Sequence, residues 1–266
     1  MKIAVCVKQV PDSWAEKKMS GGVLDRQGVD AVLNDLDEYA VEEALRVVEA
    51  HGGNGEGGAN SVIVISMGPE RTADAVRKAL SMGADGAIII TDPALAGSDA
   101  LSTSKVLAKV IEGGDFDLVF CGTESTDARM SVVPAMVAQR LSWAQLTFAG
   151  SVNVDPGAKA VTITRVTEAG VDTMKAAFPA VISVVEKINE PRYPSFKGIM
   201  AAKKKPVEIK DLAGVGIEAS SVGSSGARSV VDDATPRPPK AAGIKIVDDG
   251  NGGKALVDFL VEKKLI

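Results

Sequence analysis

Cys121-Gly122-Thr123-Glu124-Ser125-Thr126-Asp127-Ala128-Arg129-Met130-Ser131 is the stretch whose residue types best suit ligand chemistry. It follows a short apolar run, Leu118 to Cys121, and precedes a helical pattern carrying Val133, Met136, Val137 and Leu141. A strand-to-helix loop presents free backbone N–H groups at the positive end of the helix dipole, which suits a phosphate. In open parallel sheets such ligands sit beyond the carboxyl ends of the strands, where strand order reverses. Gly122 lets backbone approach a ligand, Thr123, Ser125 and Thr126 offer hydroxyls, and Arg129 offers charge. The first strand of such a sheet would end beside this loop, with Cys6 to Lys8 as the facing wall. The same pattern fits an ordinary strand-to-helix loop with a capping residue, and the residues alone leave both readings open.

A second stretch is suited to recognising a partner. Residues 186–206 contain Pro191 and Pro194, which fix φ and remove two donors. Tyr193, Phe196, Ile199 and Met200 stand there among Arg192, Lys197, Lys203, Lys204 and Lys205. From Ser195 to Lys205 the chain can form a short helix with a basic end, closed by Pro206. Large apolar anchors supply most of the energy of docking, while Lys and Arg steer an acidic partner. The alternative is a surface loop and helix whose apolar residues pack on their own domain.

Other chemistry finds little support. The sole histidine, His51, ends a helical pattern just before Gly52-Gly53, where a cation suits the dipole. Cys6 and Cys121 each lie inside apolar runs without C-x-x-C spacing, which reads as buried reduced thiols rather than zinc or dithiol chemistry. Gly53 to Gly58 fits G-x-G-x-x-G but follows a helix and precedes a strand, the wrong context for a dinucleotide fingerprint. Gly253-Lys254 resembles the end of a P-loop, yet Asp248 and Ala255 occupy its key positions. A net charge of −5 argues against nucleic acid as a partner. The opening Met1-Lys2-Ile3-Ala4-Val5 runs straight into a strand pattern, and no run of about 18 apolar residues appears, so a cytoplasmic chain without membrane insertion is expected.

The elements that must position these stretches read clearly. Strands are expected at Ile3–Val7, Val62–Ile65, Ala87–Ile90, Leu118–Cys121 and Ala180–Val185, with helices from Asn34 or Asp35, at 70–82, at 99–112 and through Val133 to Leu141. Ser151–Val154 and Val161–Thr164 pair around Asp155-Pro156-Gly157, and residues 171–177 offer a third strand. Short apolar strands alternating with helices predict an α/β fold: an open, mostly parallel, doubly wound (Rossmann-like) sheet with a small antiparallel addition. Residues 1–206 are expected as the core. Residues 207–266, rich in Gly and Ser, with prolines at 236, 238 and 239 and a last helix from Gly252 or Gly253 to Lys264, read as an extended C-terminal arm.

Taken together, the chain resembles the beta subunit of the electron-transfer flavoprotein. The resemblance rests on Val5 to Asp12, Ala40 to Leu45, Ser66-Met67-Gly68-Pro69, Ala79 to Asp85, Gly122 to Leu141, Phe178 to Val181 and Asn189-Glu190-Pro191-Arg192-Tyr193 through Lys205. The Glu124 to Asp127 loop and Pro194 to Gly198 look like the actinobacterial form.

The resemblance implies a heterodimer with an alpha subunit, one FAD held mainly by that alpha subunit, and AMP as a structural nucleotide on the beta chain. It implies that the flavin takes electrons from acyl-CoA dehydrogenases and passes them to a membrane quinone oxidoreductase. It makes residues 186–206 a recognition loop with Phe196 at the anchor position, alongside Arg192, Tyr193, Ile199, Met200 and Lys203 to Lys205. It maps the AMP pocket by position onto Cys6, Asn34, Asp35, Leu36, Asp37, Met67 and the run Gly122 to Val133, which adds Val132 to the residues above. The arm from residue 207 would pack on the alpha subunit. Catalytic residues and a metal are not expected. The chain departs from many members at Ser125 to Val133 and at Asn34-Asp35, where an Asn-Pro pair is common. Two alternatives follow: a bifurcating, NADH-linked component with a second FAD in place of AMP, and a nucleotide-binding protein of the universal-stress type, which would leave residues 186–266 without a role.

Overall fold

The computed structural model describes residues 1–55, 57–235, 238–240 and 242–266. Glu56 of the glycine loop and Pro236 of the proline cluster lie outside the described residues. The strands are β1 (Lys2–Cys6), β2 (Gln9–Pro11), β3 (Met19–Ser20), β4 (Val23–Leu24), β5 (Ala31–Leu33), β6 (Ser61–Met67), β7 (Gly86–Ile90), β8 (Leu118–Gly122), β9 (Ala144–Asp155), β10 (Ala160–Thr167), β11 (Gly170–Ala177), β12 (Ala180–Val184) and β13 (Val207–Lys210). The helices are α1 (Asp35–Ala50), α2 (Thr72–Met82), α3 (Ala100–Glu112), α4 (Val133–Leu141), α5 (Phe196–Ala202), α6 (Gly223–Gly226) and α7 (Gly252–Glu262).

Nine strands form one sheet in the order β11-β10-β9-β12-β8-β1-β6-β7-β13. The pairs from β9·β12 across to β7·β13 are parallel, and β9-β10-β11 is an antiparallel meander at one edge. This is the expected doubly wound α/β sheet with its antiparallel addition. The central strands are apolar throughout because both faces are covered. Alternate residues serve opposite faces: Ile3, Val5, Val62, Val64, Leu118 and Phe120 pack under α1 and α2, while Ala4, Cys6, Ile65, Val119 and Cys121 pack under α3 and α4. Helix α1 brings Ala40, Val41, Ala44, Leu45 and Val48 to the sheet as a single buried stripe.

Strand order runs from β1 outward through β6 and β7, then jumps back over α3 to β8 on the other side of β1. The switch point therefore lies between the carboxyl ends of β1 and β8, where Cys6 stands opposite Cys121 in register.

The stretch expected as an arm from residue 207 divides. Val207–Lys210 extends the sheet beside β7, and Leu212, Ile217 and Val222 join the core under α3. One compact unit runs from Met1 to Asp232. A second, Asp233–Ile266, carries α7. Between β1 and α1 the chain forms two short antiparallel pairs, β2·β5 and β3·β4.

Candidate functional site

The loop from Gly122 to Val132 leaves β8 at the switch point and is held from beneath by the start of α1. Asn34 precedes α1 and is fully buried, but its side chain does not cap the helix. It donates to the Glu124 carbonyl at 2.9 Å and accepts from the Thr126 N–H at 3.0 Å. Asp37, one turn further, accepts the Lys8 N–H at 2.7 Å. Burial pushes its carboxyl up to about 7, against the hydrogen bonds from Asn34, Lys8 and Gly122 that favour its charge. Gly122 has no room for a side chain: a Cβ there would lie 2.5 Å from Asp37 Oδ1 and 2.8 Å from the Leu36 backbone. Within the chain its close approach is thus to α1.

Asp127 gathers three loops. Its carboxylate, 1% exposed, takes Lys8 Nζ at 2.7 Å from the end of β1 and Arg26 Nη2 at 2.6 Å from the loop before β5. Burial opposes its charge, but the two cations win and hold the carboxyl down to about 2. Burial in turn lowers the Lys8 ammonium, against the pull of Asp127. Arg71 fixes the Arg26 loop by donating to the carbonyls of Arg26, Gln27 and Val29. Sequence reasoning passed over Arg26 and gave Lys8 only a place in the wall, since nothing local signals a partner about a hundred residues away.

Most of the expected polar side chains of the loop are tied within the chain. Thr123 donates to the Val184 carbonyl at 2.6 Å, Ser125 Oγ receives Lys8 Nζ at 3.2 Å, and Ser131 donates to Glu124 at 2.7 Å. Arg129 reaches Glu124 at 3.4 Å and is largely exposed, as are Ala128 and Met130. Arg129 (φ +49°) and Ser131 (φ +55°) occupy the left-handed region, where a non-glycine residue is strained and often marks a binding loop. Ser131 is followed by Val132 in right-handed geometry, a pairing that turns successive N–H groups into one concavity suited to an anion. Val132 sits at the cap position of α4 with no oxygen to offer, and the N–H groups of Ser131 and Val132 have no acceptor among the described residues. Cys6, Met67, Cys121 and Val133 meet in the apolar floor beneath. The hydrogen bond with Cys6, then burial, raise the Cys121 thiol well above its ordinary value, so this pair is a packed floor rather than a nucleophile. Asp35 is exposed and Leu36 half-buried at the rim. Two surface grooves, of about 360 and 700 Å³, border α3 and contain no residue of 122–133.

Residues 186–206 lie elsewhere, on α1 and α2. Helix α5 is capped by Ser195, whose Oγ accepts the Gly198 N–H at 3.0 Å. Its small residues face inward: Ala202 is buried, and a Cβ on Gly198 would lie 2.5 Å from the Ser81 carbonyl of α2. Its large apolar residues face out, with Phe196 81% exposed and Ile199 and Met200 also in solvent; Tyr193, before the helix, is 96% exposed. Lys203 and Lys204 are exposed, but Lys205 turns inward and donates to the Leu80 and Ala84 carbonyls at the C-terminal end of α2. Arg192 also turns inward, onto Glu42 and Glu49 of α1.

An open, mostly parallel sheet with helices on both faces and a loop at its switch point defines the doubly wound class of α/β protein. The particular family comes from sequence comparison. A model of the electron transfer flavoprotein domain matches residues 21–214. The electron transfer flavoprotein subunit beta of Mycobacterium tuberculosis (strain ATCC 25618 / H37Rv) is 49% identical over 269 residues, covering 99% of each chain. That of Megasphaera elsdenii is 34% identical, covering 99% of this chain and 97% of its own. The protein FixA of Azotobacter vinelandii is 33% identical over 93% of this chain and 88% of its own. The chain belongs to the electron-transfer flavoprotein family and takes the place of its beta subunit. No described helix is long and apolar enough to cross a membrane.

Proposed function

We propose that the chain, joined to an alpha subunit, completes the site of one FAD, which cycles electrons from acyl-CoA dehydrogenases to a membrane quinone oxidoreductase. The carrying observation is the inverted polarity of α5. A surface helix normally buries its large apolar residues. Here Gly198 and Ala202 are inside while Phe196, Ile199 and Met200 are outside. Such an arrangement presents an anchor to a partner and leaves the helix docked on α2 without it. Exposed Lys197, Lys203 and Lys204 would steer an acidic dehydrogenase surface. The arm from residue 233 would pack on the alpha subunit, with the apolar stripe of α7 as its contact.

The loop at the switch point would hold AMP, with the phosphate on the N–H groups of Ser131 to Val133 and the hydroxyl of Thr126 at its side. The free N–H groups of Ser131 and Val132 form one concavity, which suits a single phosphate. Asp127 sets one negative charge against the two positive charges of Lys8 and Arg26, and Arg129, held by Glu124 at 3.4 Å, is the most exposed cation beside the loop. The nucleotide there would be a structural spacer, and the chain would carry no catalytic residue of its own.

Phe196→Ala in the intact heterodimer is expected to raise the apparent KM for an acyl-CoA dehydrogenase about tenfold, the scale of an anchor residue, with FAD content unchanged. Unaltered dehydrogenase kinetics would sink the docking reading. Nucleotides released on denaturation test the second site: one FAD and one AMP per heterodimer is the expected result, and two FAD would overturn the AMP assignment.

A further inference from the structure

The docking helix is short, and a seven-residue helix is not stable by itself. Something must hold its apolar edge in place. At its far end the pins are the Gly198 contact with Ser81, buried Ala202, and Lys205 on the carbonyls of α2. At its near end the segment meets α1. There Arg192 uses Nε and Nη2 on the two oxygens of Glu42, at 2.7 and 3.0 Å. It uses Nη1 and Nη2 on the two oxygens of Glu49, at 2.5 and 3.0 Å. Its backbone N–H donates to Glu42 as well, at 3.1 Å. Three residues earlier, Asn189 donates to the Tyr39 carbonyl at 3.1 Å and to Glu43 at 3.0 Å.

We infer that Arg192, supported by Asn189, is a positioning residue for docking: a clamp on Glu42, Glu43 and Glu49 that fixes where Tyr193 and Phe196 stand. The inference rests on the docking reading of residues 186–206.

Three features carry it. A guanidinium bonded to both oxygens of two carboxylates is fixed in orientation as well as distance, which an ammonium could not reproduce. Glu42 is only 5% exposed, and a buried carboxylate requires a partner of this kind. Pro191 and Pro194 flank the clamp and limit the turn between it and α5. The chain therefore leaves α1 at Arg192 with little freedom, and Tyr193 emerges into solvent directly beyond. A segment ordered before docking loses less conformational freedom when it docks. The clamp thereby strengthens association without touching the partner.

The test is a double-mutant cycle in the FAD-loaded heterodimer, read as KM and kcat for electron acceptance from an acyl-CoA dehydrogenase reduced by its own substrate. Arg192→Gln is expected to raise KM about tenfold, with the loss on KM rather than kcat, and Arg192→Lys to fall between it and the parent. In the Phe196→Ala background, Arg192→Gln should add less than roughly twofold, because a misplaced anchor and a missing one cost the same contact. Glu49→Gln, at a half-exposed position, should move KM in the same direction with an unaltered melting temperature, which separates positioning from a folding defect. Multiplying effects in the double variant would overturn the clamp, as would a parental KM in Arg192→Gln while Phe196→Ala keeps its own loss. A parental KM in Phe196→Ala would instead remove the docking reading itself.

Discussion

Replacing Asp127 by Asn isolates the ion cluster that ties the loop after β8 to the rest of the switch point. The amide keeps the shape and removes the charge, which leaves Lys8 and Arg26 facing each other without their shared carboxylate. Holding a carboxyl at about 2 rather than 3.8 corresponds to roughly 2.5 kcal/mol of stability. Lys8 and Arg26 are 37% and 36% exposed, so solvent screening brings the expected loss to about 1–2 kcal/mol. The sign in pH follows from the direction. A carboxyl held low in the folded state stabilises fully above its unfolded value of 3.8, and that contribution disappears as pH falls towards 2. Asp37 has the opposite slope: pushed up to about 7 by burial, it favours folding fully below 3.8 and less as pH rises through 7. Asp37 is present in both proteins, so their difference reports Asp127. Urea unfolding of the full chain, followed by circular dichroism at pH 7, 5, 4 and 3, should give a gap that is steady down to pH 4 and shrinks below it. A gap equal at pH 3 and pH 7, or none at pH 7, would refute the reasoning.

Gly122→Ala should lower the melting temperature and the AMP content together, since the new Cβ meets Leu36 backbone that can yield only by moving α1; overpacking of this kind costs about 1–3 kcal/mol. A melt and a nucleotide assay at parental values would mean α1 shifts freely. Lysines 203 to 205 should separate into two kinds. Lys203→Glu with Lys204→Glu should slow association with the dehydrogenase and flatten its salt dependence while the melting temperature holds. Lys205→Met should cost about 1 kcal/mol of stability, through loss of the cation at the end of α2, and leave the salt dependence alone.

The sheet was legible because buried parallel strands are apolar runs: Ile3 to Val7, Val62 to Ile65 and Leu118 to Cys121 can be nothing else in a chain that alternates them with helical stripes. Val207–Lys210 was not legible. It is an edge strand with Glu208 and Ile209 both in solvent, so it lacks the alternation that marks a half-buried strand. The two-residue strands around Ser20 and Val23 are set by the loop they close, not by propensity. At the site the position of the loop was legible, from Gly122 at a strand end before an apolar helix. The direction of its side chains was not. Thr123 and Ser125 read as ligand hydroxyls, yet each is bonded within the chain. Glu42, Arg192 and Lys205 look like solvated charges, because only the tertiary fold shows that their partners lie more than a hundred residues away.

Carboxylates buried in a fold are ordinarily candidates for acid–base catalysis. Here the molecule supplies a different account of each. Asp37 joins α1 to β1 and β8, Asp127 joins three loops, and Glu42 and Glu43 receive the base of the docking stretch. Every one is satisfied by the chain itself, and three of the four belong to a single helix. Helix α1 is thus a common platform: its apolar stripe rests on the sheet, its start holds the loop after β8, and its outer acids hold residues 189–192. Under the proposed function, in which the chain completes a flavin site and presents a docking edge, these points call for rigidity rather than a reactive group. Charges buried in pairs are suited to that task, because breaking either partner leaves the other uncompensated.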